Sequence, residues 1–266
     1  MKNGFWILIF LIGFASCKSE FESIRTSGDP EEIYKKAEEY YDQEEYYKAQ
    51  SLFELAIPAY RGKELAETLF YKYAYTYYYT GEFILASHYF KNFANTFYNS
   101  SKREEMDFMS SYALYKLSPN FKLDQSYTDK AIEGFQVFVN TYPNSERIGE
   151  INDLIDQMRS KQEKKSFEQA FLYYNISQFQ AAVVAFDNFL KDYPGSEKSE
   201  EARFLKLKAS FIISENSIYE KQEERFDKTL KYYTDFIKKH PRSKFLEEAR
   251  SIYESSINEL KKFGRV

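Results

Sequence analysis

A helix carrying Ala and Phe on one face recurs along this chain, and after it comes a turn of the form aromatic-Pro-x-Ser. The clearest copy is Ala181-Ala182-Val183-Val184-Ala185-Phe186-Asp187-Asn188-Phe189-Leu190-Lys191-Asp192-Tyr193-Pro194-Gly195-Ser196. Ala131, Phe135 and Phe138 precede Tyr142-Pro143-Asn144-Ser145, and Thr229, Tyr233 and Phe236 precede His240-Pro241-Arg242-Ser243. A degenerate copy runs Ala86, Phe90, Phe93 and Tyr98-Asn99-Ser100, and an earlier one, Ala49, Phe53, Ala56 and Tyr60, lacks the Pro of the turn. A unit this small cannot bury its apolar stripe alone. Repetition therefore forces stacking, and the pattern predicts an all-α solenoid.

The helix that precedes each of these copies carries Ala-x-x-Tyr, as Ala37 and Tyr40, Ala74 and Tyr77, or Ala170 and Tyr173. The second helix presents its small residue nine places after that Tyr. Two small residues then face each other, and the paired helices approach to the short end of the usual range of about 8 to 10 Å. Phe53, Phe90, Phe135, Phe186 and Tyr233 are expected to fill the gap one turn further on. Pro withholds an amide donor and stops the second helix, and Ser two places later can accept from the amides opening the next.

The small residues of successive second helices lie 37, 45, 51 and 47 places apart, longer than the roughly 34 of a plain tetratricopeptide repeat. The excess falls between Ser118-Pro119-Asn120 and Thr128, and between Ala209 and Thr229, where Ser214-Glu215-Asn216-Ser217 breaks the run. More lies in longer helices after the turns, such as Ile148 to Glu163. The reading is a tetratricopeptide-repeat solenoid of five helix pairs plus a C-terminal capping helix, Phe245 to Phe263. It occupies residues 29–266, with an N-terminal half over about 29–120 and a C-terminal half over about 121–266.

Residues 1–16 combine Lys2, an apolar stretch from Phe5 to Phe14 and Ala15-Ser16. They read as a secretory signal peptide, too short to span a bilayer. Cys17 is the only Cys, and Phe14-Ala15-Ser16-Cys17 resembles the bacterial lipobox, whose Cys carries diacylglycerol and an N-acyl chain. Residues 17–28 then form a lipidated tether, polar from Ser19 to Gly28 and without helical periodicity. Asp29-Pro30-Glu31-Glu32 opens the first helix with an N-cap and a Pro at the first helical position, so structure is expected from near residue 29.

Loss of Lys2 takes the formal charge from −4 to −5, which argues against nonspecific binding to nucleic acid. The two His, His88 and His240, have no spacing suited to a metal or a nucleophile. Gly is scarce, no phosphate loop is present, and Glu104-Glu105 and Glu223-Glu224 read as solvated helix faces. The expectation is a protein without catalysis, metal or cofactor beyond its covalent acyl chains.

The chain is rich in aromatic side chains, with 25 Tyr and 25 Phe. Thr68-Leu69-Phe70-Tyr71-Lys72-Tyr73-Ala74-Tyr75-Thr76-Tyr77-Tyr78-Tyr79 is aromatic on nearly every face, although a helix needs one stripe for its core. If Phe70, Tyr73, Ala74 and Tyr77 pack inward, Tyr71, Tyr75, Tyr78 and Tyr79 line the inner side. Tyr34, Glu38, Tyr41 and Asp42 take the corresponding places in the first unit, and Phe167, Phe171, Tyr174 and Asn175 in the fourth. Such a groove suits an extended peptide bearing aromatic residues.

The lipobox, the five units with their turns, and two insertions together resemble the BamD family of lipoproteins of the outer-membrane β-barrel assembly machinery. The insertions are Leu123-Asp124-Gln125-Ser126-Tyr127-Thr128 and Asn216-Ser217-Ile218-Tyr219-Glu220-Lys221-Gln222-Glu223-Glu224-Arg225-Phe226. The resemblance implies a lipid-anchored protein on the periplasmic face of the outer membrane. It also implies that the N-terminal units recognise unfolded barrel precursors, that the C-terminal half docks on a POTRA module of BamA, and that other Bam lipoproteins share the complex. Substrate contacts fall on Tyr34, Tyr41, Tyr71, Tyr75, Tyr78 and Tyr79, and docking on Lys191, Asp192 and Tyr193. The alternative is an envelope adaptor of the peptidoglycan or Tol type. Those adaptors often carry an N-terminal coiled coil, and no heptads precede residue 29.

Overall fold

The computed structural model describes residues 20–264, and all regular structure among them is helical. In chain order the helices are α1 (Glu20–Arg25), α2 (Pro30–Asp42), α3 (Tyr46–Tyr60), α4 (Ala66–Tyr79), α5 (Phe83–Thr96), α6 (Arg103–Lys116), α7 (Ser126–Thr141), α8 (Ile148–Asn175), α9 (Phe179–Asp192), α10 (Ser199–Glu215), α11 (Tyr219–Lys239) and α12 (Leu246–Lys261). Five pairs, α2 with α3 through α10 with α11, are followed by α12, in the arrangement of a tetratricopeptide-like solenoid. The chain forms two compact units, one of residues up to 119 with 126–151, the other of 120–125 with 152 onward.

The small-residue rule explains the pairing. Ala37, Ala49, Ala74, Ala86, Ala131, Ala170 and Ala182 are completely enclosed, as are Phe53, Phe90, Phe135 and Phe186. In the third pair Ser111 of α6 meets Gly134 of α7 so closely that a Cβ on the glycine would lie 2.5 Å from Ser111 Oγ. The fifth pair departs from expectation, because Tyr233 is half-buried and stacks on Tyr253 at 4.7 Å. Phe236 is enclosed like Phe93, Phe138 and Phe189, which stand at the same place in the second to fourth pairs; the fifth pair thus seals one ring where those seal two, since a phenol needs a partner when enclosed. Thr229, standing where other units have Ala, is satisfied inside by the hydroxyls of Ser210 (2.8 Å) and Ser214 (3.1 Å).

Each turn serine does two things. Ser100, Ser145, Ser196 and Ser243 accept through Oγ from the amides of Lys102, Arg147, Lys198 and Phe245 at 2.9–3.2 Å. The same hydroxyls donate to Glu67, Glu104, Glu163 and Glu200 at 2.5–2.7 Å. Each of these glutamates lies on the first helix of the unit that the turn closes. The serine therefore caps the next helix and ties the turn back to the previous one, with each bond contributing about 1 kcal/mol or more because the acceptor is ionised.

At the N-terminus, Asp29 Oδ1 accepts from Glu31 N (2.9 Å) and Glu32 N (3.4 Å), with Pro30 opening α2. Among the described residues Glu20–Arg25 is already helical, where a tether was expected. Phe21 and Ile24, three apart on α1, pack on the first-unit core, Phe21 edge-on to Tyr40 at 6.0 Å. Lys36 Nζ holds Glu20 at 2.6 Å. The signal segment and Cys17 lie outside the described residues. The first insertion spans 117–125, with α7 starting at Ser126. The second lies mostly in helix, with α10 continuing to Glu215 and α11, of 21 residues, starting at Tyr219, and further excess is absorbed by α8, a helix of 28 residues.

Candidate functional site

Helix α4 places six tyrosines within 14 residues, so it has aromatic rings to bury on more than one side. Tyr73 and Tyr77 face α5: their hydroxyls lie 2.8 Å apart and both rings pack on Tyr89, at 4.9 and 4.6 Å. The remaining rings meet the first helices of the neighbouring pairs. Tyr79 approaches Tyr41 of α2 at 6.4 Å and stacks on Tyr46 at 4.5 Å. Tyr78 packs on Phe83 at 5.5 Å and reaches Tyr112 of α6 at 6.5 Å. Tyr71, Tyr75 and Tyr79 follow one another along α4 at 4.9 and 5.6 Å.

Polar groups tie these first helices together. Lys72 Nζ reaches Glu38 Oε2 at 2.6 Å and Asp42 at 3.7 Å, and lies 5.0 Å from the centroid of Tyr41. Glu105 Oε1 of α6 accepts from Tyr71 (3.0 Å) and Tyr75 (2.5 Å). Burial, with Glu105 second, pushes the Tyr71 phenol up to about 12 and raises that of Tyr75 as well. The Tyr41 phenol is raised by burial and then by Tyr79 and Tyr71. These hydroxyls remain donors throughout the neutral range.

The sequence-predicted residues divide accordingly. Tyr41, Tyr71, Tyr78 and Tyr79 come together on one face, graded from half-buried to 48% exposed at Tyr79. Tyr75 does not line that face as a free ring, because it is 8% exposed, wedged between Phe90 (4.9 Å) and Tyr71 with its hydroxyl committed to Glu105. It is a floor. Tyr34 turns toward α3, packing on Tyr60 at 5.0 Å and Phe53 at 6.2 Å. Its phenol is pushed up to about 12 by burial and then by Glu38. Tyr46, Tyr112 and Tyr115 are additional members that the sequence does not single out, and Glu104-Glu105, expected on a solvated helix face, are instead half-buried, Glu105 bonded to Tyr71 and Tyr75 and Glu104 to Ser145. Tyr112 and Tyr115 stand 37 places after Tyr75 and Tyr78, the period of the first two units, and counting that period onward would have found them.

In the second unit Lys191 and Asp192 are exposed at the end of α9, while Tyr193 is half-buried with its ring 5.6 Å from Phe189. Phe167 is enclosed, Phe171 packs beside it, and Tyr174 rests on Phe179 at 5.6 Å. Tyr174 is joined there by the Lys208–Glu248 pair at 2.6 Å rather than by further tyrosines. His88 is exposed beside Asn92, and His240 packs on Phe236 in the other unit. Among the described residues no group of three or more His, Cys, Asp or Glu is arranged to hold a metal ion. None of the described helices is long and apolar enough to cross a membrane. A family model described as YfiO, outer membrane lipoprotein, matches residues 26–162 and 158–262. No curated protein matches the chain.

Proposed function

Because the chain belongs to the YfiO family of outer membrane lipoproteins, we propose that it acts as a noncatalytic, BamD-type subunit of outer-membrane β-barrel assembly. Cys17 carries the acyl chains, and at about 0.8 kcal/mol per buried methylene three chains moor the protein firmly at the periplasmic face. The first-unit tyrosine face takes the extended C-terminal strand of an unfolded barrel precursor. Lys191, Asp192 and Tyr193 in the second unit contribute to docking on the POTRA module of BamA, beside other Bam lipoproteins.

One observation carries this reading. Tyr78 and Tyr79 pack on Tyr75, whose hydroxyl is held by Glu105, and Tyr41 packs in turn on Tyr79. Pre-positioned rings give up little conformational freedom when a strand is laid over them. An alternating strand presents every second side chain to such a face, and its aromatic residues find edges and faces of rings already in place.

The test is site-specific crosslinking from photoreactive residues replacing Tyr78 and Tyr79 in cells. The expected adducts map to the C-terminal segments of barrel precursors. Adducts confined to the protein itself would show that the face is core, and the reading fails.

A further inference from the structure

Lys102 stands at the start of α6, half-buried, with Nζ 4.2 Å from the ring centroid of Tyr71. It pairs with no carboxylate among the described residues. Other shielded lysines have a partner: Lys36, Lys72, Lys206 and Lys208 each reach a carboxylate at 2.6–2.8 Å, and half-buried Lys165 donates to the Leu123 carbonyl at 2.5 Å. The acidic residues nearest in sequence are already engaged, Glu104 by Ser145 and Glu105 by the hydroxyls of Tyr71 and Tyr75. Its ammonium stands over a ring face and holds no carboxylate of the described residues, which leaves it open to an anion of a ligand.

We infer that Lys102 is a specificity residue at the rim of the tyrosine face, binding a carboxylate of the same ligand whose aromatic side chain rests on Tyr78 and Tyr79. This rests on the peptide-binding reading above. Tyr71 and Tyr79 are eight residues apart on α4, about 12 Å along the axis. An extended peptide covers that distance in about four residues. The ligand therefore runs along α4 with its carboxylate at the Tyr71 end and an aromatic anchor about four positions before it. The carboxylate comes either from the end of the chain or from an acidic side chain. The backbone of Lys102 is fixed at the helix start, its amide donating to Ser100 Oγ and its carbonyl accepting from Met106.

The experiment measures fluorescence anisotropy of labelled peptides with the full chain at low ionic strength. Three peptides are compared: an aromatic-rich peptide with a free C-terminus, the same peptide amidated, and the amidated peptide ending in Glu. Wild type should prefer the free acid over the amide by about fivefold. Lys102→Met should abolish that preference, read as the ratio of the acid and amide affinities, and Lys102→Arg should keep it. Tight binding by the Glu-ended amide means that any carboxylate serves; weak binding means that the chain end is required, and either supports the assignment of Lys102. Equal binding of acid and amide by wild type, or a preference surviving in Lys102→Met, overturns it and leaves the tyrosine face intact as a peptide site. Failure of all three peptides to bind wild type removes the peptide-binding reading and this inference with it.

Discussion

Gly134 is where a single atom decides how two helices pack. Its absent Cβ leaves room for Ser111 Oγ, and an added methyl would sit 2.5 Å from that oxygen and 3.2 Å from Ser111 Cβ. Close-packed interiors do not yield to such an intrusion without shifting backbone or side chains. Gly134→Ala should therefore lower the unfolding free energy by about 1 to 3 kcal/mol, against the small gain expected from helix propensity. Adding Ser111→Ala removes the nearer atom, and the double variant should recover most of the loss in urea titrations. If Gly134→Ala is neutral or stabilising, α6 and α7 are further apart than described. The same contact explains why the third pair was harder to read from sequence: Ala113 is enclosed, but the facing small residue is Ser111, which stands 37 places after Ala74.

Helices become units through their turns, and here the turn chemistry was half legible. Ser as a cap follows from its place two residues after Pro, because it must sit beside unpaired amides. Its second bond, to a glutamate 33 to 43 residues earlier, cannot be read from local spacing, since insertions vary the interval. In three of the four units the glutamate precedes the inner small residue by seven, as Glu67 precedes Ala74, Glu104 precedes Ser111 and Glu163 precedes Ala170, whereas Glu200 precedes Leu207. Ser196→Ala should cost about 1 to 3 kcal/mol, from the lost cap and the loss of the Glu163 bond together. Glu163→Gln should cost less, because the amide oxygen still accepts; thermal melts of both variants decide this, and equal costs would mean that the cap alone matters. Helix α1 was missed for a different reason. Six residues offer too little periodicity to register, and its stability comes from Phe21 and Ile24 meeting a core that only the fold assembles.

At the scale of the whole molecule the tyrosines act as a population, and their aggregate is what sequence alone could not sort. The count of rings announces an aromatic surface, but whether Tyr75 is floor or lining depends on Glu105, which sits 30 residues away on another helix. The sorting has a measurable consequence at high pH. Tyr34, Tyr71 and Tyr142 have phenols pushed up to about 12 by burial first and neighbouring carboxylates second, and Tyr41, Tyr73 and Tyr75 are raised as well. A phenol whose value is raised in the folded state stays protonated above about 10, where the unfolded chain has already released its proton. Protons are then bound more by the folded form, so the stability that these groups contribute is fully present below about pH 10 and is lost as pH rises toward and beyond 12. Part of the tyrosinate absorbance should accordingly appear only with loss of helical circular dichroism, because these raised phenols ionise as the fold opens. Tyr71→Phe removes one linked proton, so its unfolding free energy should fall less steeply with pH between about 10 and 12 than that of wild type. A single ordinary titration with the helices intact would mean that the rings are solvated, and the tyrosine face would then lack the fixed floor on which peptide capture depends.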